Sequence, residues 1–168
     1  SLDDREVADA RQELAITSGD FAIGTVTRLH DSKGNEFLVD AAKKVVQERP
    51  KAKFYIVGEG PLRSQLEAQA NANGLGNRLV FVGFVKNVAR TLSAFDLSVF
   101  PSLWEGTPLT AFEALAMGKP IVATDADGLL DILTRDRDAL IVPKRNASAL
   151  AEKIIWLMDH PEEKERLG

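Results

Sequence analysis

The sequence predicts an α/β fold in which a doubly wound parallel sheet of about six strands carries helices on both faces. From residue 21 onward, short runs rich in β-branched residues alternate with segments of helical periodicity. Several of these runs are apolar throughout, as expected for strands that are covered on both faces. With 168 residues and 45% hydrophobic content, the chain can bury one substantial core.

The strands are the short apolar runs bounded by turn residues. The six predicted strands span residues 21–27, 53–58, 79–83, 96–100, 120–124 and 138–142. Most of the segments between them are long enough for a helical crossover, which is the connection that parallel strands need.

Helical periodicity accounts for most of the remaining chain. The predicted helices span residues 4–15, 33–49, 61–74, 87–94, 108–117, 129–134 and 147–159. Leu38 and Val45 recur at helical spacing in the second of these and are assigned to the core. Pro50 ends that helix, Pro61 begins the next, and Asn146 caps the last.

A doubly wound sheet binds ligands beyond the carboxyl ends of its strands, near the point where the strand order reverses. This rule selects the loops that follow the predicted strands. They span residues 28–33, 58–61, 83–87, 101–108 and 124–131.

The composition and the charge of the chain argue against several classes of function. A formal net charge of −4 with scattered Lys and Arg argues against a nucleic-acid partner. The chain has no cysteine, and its two histidines are far apart, so neither thiolate chemistry nor a clustered metal site is predicted. No apolar run approaches the length of about 20 residues of a membrane helix. The absence of cysteine suits a cytoplasmic protein.

Glu113 is the most informative acidic residue. Pro108 is expected to begin a helix capped by Thr107 or Gly106, which places Glu113 in the second turn among apolar neighbours. We therefore expect a buried carboxylate, which needs a protein donor or a ligand hydroxyl as its partner.

The start of the same helix offers backbone N–H groups for a phosphate or a sugar hydroxyl. Glu105 precedes it, and a carboxylate pair of the glycosidase kind would need Glu105 and Glu113 about 5 to 9.5 Å apart across one bond. Spacing alone leaves that alternative open. The candidate amides are those of Gly106, Thr107, Leu109 and Thr110.

Two cations flank the turn after the first strand. Arg28 precedes the turn, and Lys33 lies at the amino end of a helix, where the helix dipole disfavours a cation. Local pairing with Asp31, Ser32 or Glu36 is one explanation. Their position at the carboxyl edge of the sheet favours the other, which is a bound phosphate.

The turn after the second strand contains Gly58 and Gly60 but lacks a dinucleotide fingerprint, because Arg63 occupies the third glycine position. This turn is either a plain strand-to-helix connection or a wall of a ligand site, and the sequence leaves both interpretations open.

Taken in order, these motifs resemble a known family. They are GTVTRL at 24–29 with Lys33-Gly34, IVGEGP at 56–61, FVGFV at 81–85, Asp96 followed by FPS at 100–102, the segment from Glu105 to Glu113, GKP at 118–120 and Thr124-Asp125. The set resembles the carboxyl-terminal, donor-binding domain of retaining glycosyltransferases of group 1, called family 4. The resemblance runs from about residue 21 to the end. It implies a Rossmann-like domain that forms one half of a two-domain GT-B fold.

The resemblance also implies roles for site residues. Arg28 and Lys33 would hold the donor diphosphate and stabilise charge on the leaving group, with Glu105 facing the transferred sugar as the third catalytic residue. Glu113 would accept hydrogen bonds from ribose hydroxyls. The remaining implied donor-binding residues are Gly58, Phe84, Val85, Gly106, Thr107, Leu109 and Thr110.

The resemblance further implies a nucleotide-diphosphate sugar as substrate, no cofactor and metal-independent transfer. Residues 1–20 are expected to form an interdomain lead-in helix and residues 21–168 the donor domain, with the amino-terminal acceptor domain absent. The acceptor is unknown and would be a glycan, a lipid-linked glycan or a small molecule. The isolated domain is expected to be inactive, and the whole protein to be cytoplasmic or peripheral to a membrane. A GT-B sugar-nucleotide epimerase or phosphorylase, and a non-catalytic nucleotide-binding module, remain alternatives.

Overall fold

The computed structural model describes residues 2–30, 33–103, 109–126 and 139–167. Its six strands form one sheet in the order β3-β2-β1-β4-β5-β6, and every neighbouring pair is parallel. The strand order therefore reverses between β1 and β4, as in a doubly wound sheet. The strands are β1 (Phe21–Val26), β2 (Ala52–Val57), β3 (Leu79–Gly83), β4 (Leu97–Phe100), β5 (Ile121–Thr124) and β6 (Leu140–Val142).

The helices are α1 (Asp4–Glu13), α2 (Asn35–Glu48), α3 (Arg63–Ala72), α4 (Val88–Ser93), α5 (Leu109–Ala116), α6 (Ala147–Asp159) and α7 (Pro161–Leu167). The predicted helix at 129–134 lies outside the described residues. Helix α7 was not predicted, although Pro161 at its first position and two glutamates in its first turn are ordinary helix-start signals.

The helices cover both faces of the sheet, as predicted. One core layer packs α2, α3 and α6 against the sheet, and the other packs α1, α4 and α5 against the opposite face. The first layer contains Leu38, Val45, Leu66, Leu150 and Ile154. The second contains Ala10, Leu92, Phe95, Ala111 and Ala114.

The end of α2 and the start of α6 follow the predicted residues, whereas α3 begins at Arg63, two residues after the predicted Pro61. The Asn146 side chain accepts a hydrogen bond from the Ala149 amide at 2.9 Å, which confirms the predicted cap of α6. Helix α2 ends at Glu48, two residues before Pro50. Helix α2 begins at Asn35, so Lys33 lies in the turn before the helix and not in its first turn.

Gly24 on β1 is packed directly beneath an aromatic ring. A Cβ atom at Gly24 would lie 2.2 Å from the nearest Phe95 ring atom, and the Phe95 side chain is buried between the sheet and its helices. We expect Gly24→Ala to lower the free energy of unfolding by about 1–3 kcal/mol, because the ring must shift inside a packed layer. Urea unfolding measures this. Gly19→Ala is the control, since its Cβ would meet nothing closer than 3.9 Å, and equal stability of the two variants would contradict the packing.

Tyr55 is expected to make the stability of the fold depend on pH in the alkaline range. Its hydroxyl donates a hydrogen bond to the Leu14 carbonyl at 3.0 Å. Burial, followed by the nearby Asp20 charge, raises the pKa of Tyr55 to about 12. The folded pKa lies above the usual value of about 10, so the stabilisation is complete below pH 10 and is lost as the pH rises towards 12.

We therefore expect the stability difference between the wild type and Tyr55→Phe to shrink as the pH rises from 10 to 12. Urea midpoints measured at several pH values for both proteins test this, because ionisation of the lysines is common to the two. A difference that stays constant across this range would show that Tyr55 does not ionise on unfolding.

Candidate functional site

A cavity of about 560 Å³ opens at the carboxyl edge of the sheet, at the reversal of strand order between β1 and β4. Its walls come from the ends of β1, β2 and β4, from the loop after β3, and from α4 and α5. This is the position that the topology of a doubly wound sheet predicts for a ligand. Its size is ordinary for a small-molecule site.

The cavity brings together residues that the sequence places far apart. The predicted site residues that line it are Arg28, Lys33, Gly58, Phe84, Val85, Thr110 and Glu113. Two basic side chains from the segment after β1 therefore share one cavity with an acidic side chain from α5. The arrangement suits a ligand that carries both an anionic group and hydroxyl donors.

The other predicted site residues are wholly or partly outside what the structure describes. Glu105, Gly106 and Thr107 lie outside the described residues. Leu109 begins α5, but its side chain also lies outside what the structure describes.

The expected burial of Glu113 is wrong. Its side chain is partly exposed and lines the open cavity. Helix α5 turns Ala111 and Ala114 towards the sheet, whereas Phe112 is 48% exposed. The apolar neighbours of Glu113 suggested burial on most sides, but the small alanines form the packed face of the helix. The Glu113 carboxylate therefore borders the cavity, where a ligand can reach it.

Arg28 is exposed at the cavity, and Lys33 is partly exposed beside it. Within the described ranges, no carboxylate lies within ion-pair distance of Arg28. The Lys33 amide donates to the His30 carbonyl at 3.1 Å. Both side chains thus come from one short segment at the carboxyl edge.

Gly58 has a structural reason to be glycine. Its φ is +131°, and a Cβ atom there would lie 1.7 Å from the Thr27 carbonyl oxygen. Its amide donates to the Gly83 carbonyl at 2.8 Å, which ties the end of β2 to the end of β3. Gly58 also lines the cavity, and its role in ligand binding stays a prediction.

Phe84 follows Gly83 and stands at the rim with 77% of its surface exposed. An aromatic ring this exposed beside a cavity is an available stacking surface for a flat group. Val85 lies next to it and lines the cavity as well.

Sequence reasoning missed several residues that line the cavity. They are Thr25, Thr27, Glu59, Val88, Phe100 and Ser102. Thr25 and Phe100 belong to strands, and only the loops had been selected. Since the last residues of parallel strands meet at the same edge, the strand ends themselves would have been a usable signal. Glu59 pairs with Arg63 through a hydrogen-bonded ion pair.

Among the described residues, no group of three or more His, Cys, Asp or Glu side chains is placed to hold a metal ion. No helix of the described ranges combines the length and the apolar composition needed to cross a membrane. Metal independence of the reaction stays a prediction.

The fold is that of a Rossmann-like domain, and its cavity lies at the topological switch point. The chain belongs to the family of group 1 glycosyl transferases, whose model matches residues 20–160. The fold class expected from the sequence, one half of a GT-B glycosyltransferase, is confirmed.

Similar proteins of known class are longer than this chain. A lipopolysaccharide core biosynthesis glycosyltransferase from Rhizobium meliloti, LpsD, is 34% identical over 159 residues, which are 95% of this chain and 45% of that protein. The alpha-D-kanosaminyltransferase of Streptomyces kanamyceticus is 30% identical over 85% of this chain and 38% of its own length. The chain thus spans less than half of these relatives.

Similar solved structures are also longer than this chain, which covers less than half of each. Anabaena Alr3699/HepE, crystallised with UDP and glucose, superposes with a TM-score of 0.90 and 25% identity over 99% of this chain and 46% of its own. Sucrose-phosphate synthase from Thermosynechococcus elongatus superposes with a TM-score of 0.84 and 31% identity, over 95% of this chain and 41% of its own.

Proposed function

We propose that this chain is the donor-binding domain of a retaining glycosyltransferase, which transfers a hexose-type sugar from a nucleotide-diphosphate sugar to an acceptor. The observation that carries the proposal is the cavity that combines Arg28, Lys33 and Glu113. Membership of the group 1 family supports sugar transfer, and the UDP in a similar structure supports a nucleotide donor.

Arg28 and Lys33 would bind the diphosphate. Two cations in a partly enclosed cavity neutralise a diphosphate more effectively than they would in bulk water, because the local dielectric constant is lower. When the bond between the sugar and the diphosphate breaks, negative charge grows on the leaving phosphate oxygen. Cations already in place stabilise that charge without reorganising. The proposed chemistry is therefore electrostatic and needs no metal ion.

Glu113 would accept hydrogen bonds from the two ribose hydroxyls, because an ionised carboxylate offers two acceptor oxygens and no donor. The base would lie at the end of the cavity formed by Gly58, Phe84 and Val85. Glu105, with the amides of Gly106, Thr107, Leu109 and Thr110, would hold the transferred sugar. These roles give the donor a single orientation, with its diphosphate at the cations.

The acceptor would bind a second domain of the whole protein. Related glycosyltransferases are more than twice as long as this chain, so the proposed activity belongs to a protein that carries both halves. The isolated domain should bind a donor with little turnover. The acceptor class stays open between a glycan, a lipid-linked glycan and a small molecule. A cytoplasmic location, with or without peripheral attachment to a membrane, is part of the proposal.

Calorimetric titration of the isolated domain with UDP, GDP and ADP tests the proposal. We expect saturable heat with at least one of the three at millimolar concentration or below. The Arg28→Ala, Lys33→Ala double variant is the matched control and should lose that heat. Absence of heat with all three nucleotides would refute the donor-binding role.

For the whole protein, product analysis separates the enzyme classes. A glycosylated acceptor supports transfer. A free sugar phosphate, or an epimerised sugar nucleotide, would instead identify a phosphorylase or an epimerase.

A further inference from the structure

Four buried polar residues lie at or near the carboxyl edge of the sheet. Each is at most 3% exposed, and two of them, Thr25 and Ser102, also line the cavity. The Thr124 hydroxyl donates to the Ser102 carbonyl at 2.6 Å. We call this group the polar floor, and its members are Thr25, Asn35, Ser102 and Thr124.

Asn35 is the least expected member of the polar floor. It is the first residue of α2 and the first of the buried residues that form one stripe along this helix. The stripe continues through Leu38, Val39 and Ala42. An apolar side chain would suit this stripe. Asn35 is 1% exposed, and in the described part of the chain neither its Nδ2 nor its Oδ1 atom has a hydrogen-bond partner.

Thr25 lies in the same layer of the structure. Side chains alternate along a strand, so Thr25 on β1 shares a face with Ile23, which packs in the core cluster that contains Leu38 and Val39. Its Oγ1 atom is also without a partner among the described residues. Thr25 and Asn35 together present two amide hydrogens, a carbonyl oxygen and a hydroxyl at the carboxyl edge.

The residue before Asn35 brings the loop after β4 close to the start of α2. Gly34 has φ +66°, and a Cβ atom there would lie 2.0 Å from the Pro101 carbonyl oxygen. The segment after β4 therefore packs closely against the start of α2. Asn35 lies between the apolar core and the segments that carry Lys33 and Pro101 to the cavity.

Buried polar atoms in folded proteins are almost always hydrogen-bonded, either to the protein or to an ordered water molecule. An unpaired buried amide destabilises the fold, and an apolar residue of similar size would pack the stripe better. A water molecule that accepts from Asn35 Nδ2 and donates to Asn35 Oδ1 and Thr25 Oγ1 would satisfy all three atoms.

We infer that Asn35 and Thr25 form a buried hydration site in the polar floor. We further infer that the water in this site connects β1 to the start of α2, next to the ligand end of the cavity. The second part rests on the proposed nucleotide-binding function. Asn35 is then a positioning residue. Through the water it holds the start of α2, and with it Lys33 two residues earlier, in the place from which Lys33 meets the diphosphate.

The test compares Asn35→Leu and Thr25→Val with Thr91→Val. Thr91 is a matched control because it is also buried and its hydroxyl donates to the Asn87 carbonyl at 3.2 Å. Three readouts are measured on each protein: the thermal midpoint, the affinity for the nucleotide diphosphate that binds best, and the NMR cross-relaxation between water and the Asn35 side-chain amide of the wild type.

We expect a long-lived water signal at the Asn35 amide. Asn35→Leu and Thr25→Val should keep the wild-type thermal midpoint or exceed it, whereas Thr91→Val should lower it. Nucleotide affinity should fall about threefold to tenfold in Asn35→Leu, because a water-mediated contact is nearly as strong as a direct one.

Three results would overturn the inference. If the water signal is absent and Asn35→Leu is destabilised like Thr91→Val, Asn35 makes a direct structural hydrogen bond. If Asn35→Leu binds nucleotide like the wild type while Arg28→Ala does not, the hydration site is not coupled to binding. If the wild type shows the water signal but binds no nucleotide, the hydration site stands, and both the coupling and the proposed function fail.

Discussion

Replacing Arg28 by alanine in the protein that carries both halves should lower the rate of sugar transfer by about 100-fold to 1000-fold, the usual effect of removing one group that stabilises developing charge. Lys33→Ala should have an effect of the same order. Both side chains line the cavity at the carboxyl edge of the sheet. The loss follows because charge grows on the leaving phosphate as the sugar departs.

The kinetic constants should show where the loss arises. Most of it is expected in kcat and a smaller part in KM, because the cations meet more negative charge in the transition state than in the bound donor. The double variant should lose less than the product of the single effects, since both cations act on the same diphosphate. Lys43→Ala is the control, because Lys43 is exposed on α2, eight residues after the helix start. Wild-type kcat in both single variants would remove the cations from the chemistry.

Replacing Glu113 by glutamine should weaken nucleotide binding by about 1–3 kcal/mol, which corresponds to a loss of roughly fivefold to 150-fold in affinity. The amide keeps the size of the side chain but offers one acceptor oxygen in place of two and no charge. Because Glu113 is partly exposed, the variant should unfold at the wild-type urea concentration. The lost affinity is therefore attributable to the site.

Calorimetry on the isolated domain measures the Glu113 effect without an acceptor. Glu152→Gln is the matched control, since Glu152 is exposed on α6, outside the cavity. A nucleotide without the ribose hydroxyls, such as a dideoxynucleoside diphosphate, should bind Glu113→Gln and the wild type alike. Unchanged affinity of Glu113→Gln for the ribonucleotide would remove Glu113 from ligand binding.

The sheet was predictable because its strands are short runs of β-branched residues, and covering both faces leaves such runs apolar throughout. All six strands form within about two residues of the predicted bounds. Helix ends were predictable where a single side chain decides them, as Asn146 does for α6. Helix α7 was missed although Pro161 and two glutamates in its first turn are ordinary helix-start signals.

The location of the candidate site was predictable, because the topology of a doubly wound sheet determines it. Arg28 and Glu113 are 85 positions apart, yet both lie at the carboxyl edge because each is close to the edge at which parallel strands end. The exposure of Glu113 was not predictable, because the rotation of α5 depends on how Ala111 and Ala114 pack on the sheet. The polar floor could not be predicted from the sequence either, because the tertiary structure decides whether the Asn35 side chain has a hydrogen-bond partner.

Nucleotide binding at the cavity is the central claim, and chemical-shift mapping of the isotope-labelled domain tests it most directly. Titration with UDP or GDP should shift amide resonances of residues around the cavity, foremost Arg28, Gly58, Phe84, Val85 and Thr110, and leave those of α3 and α7 unchanged. Shifts confined to other surfaces, or no shifts at millimolar nucleotide, would contradict the account.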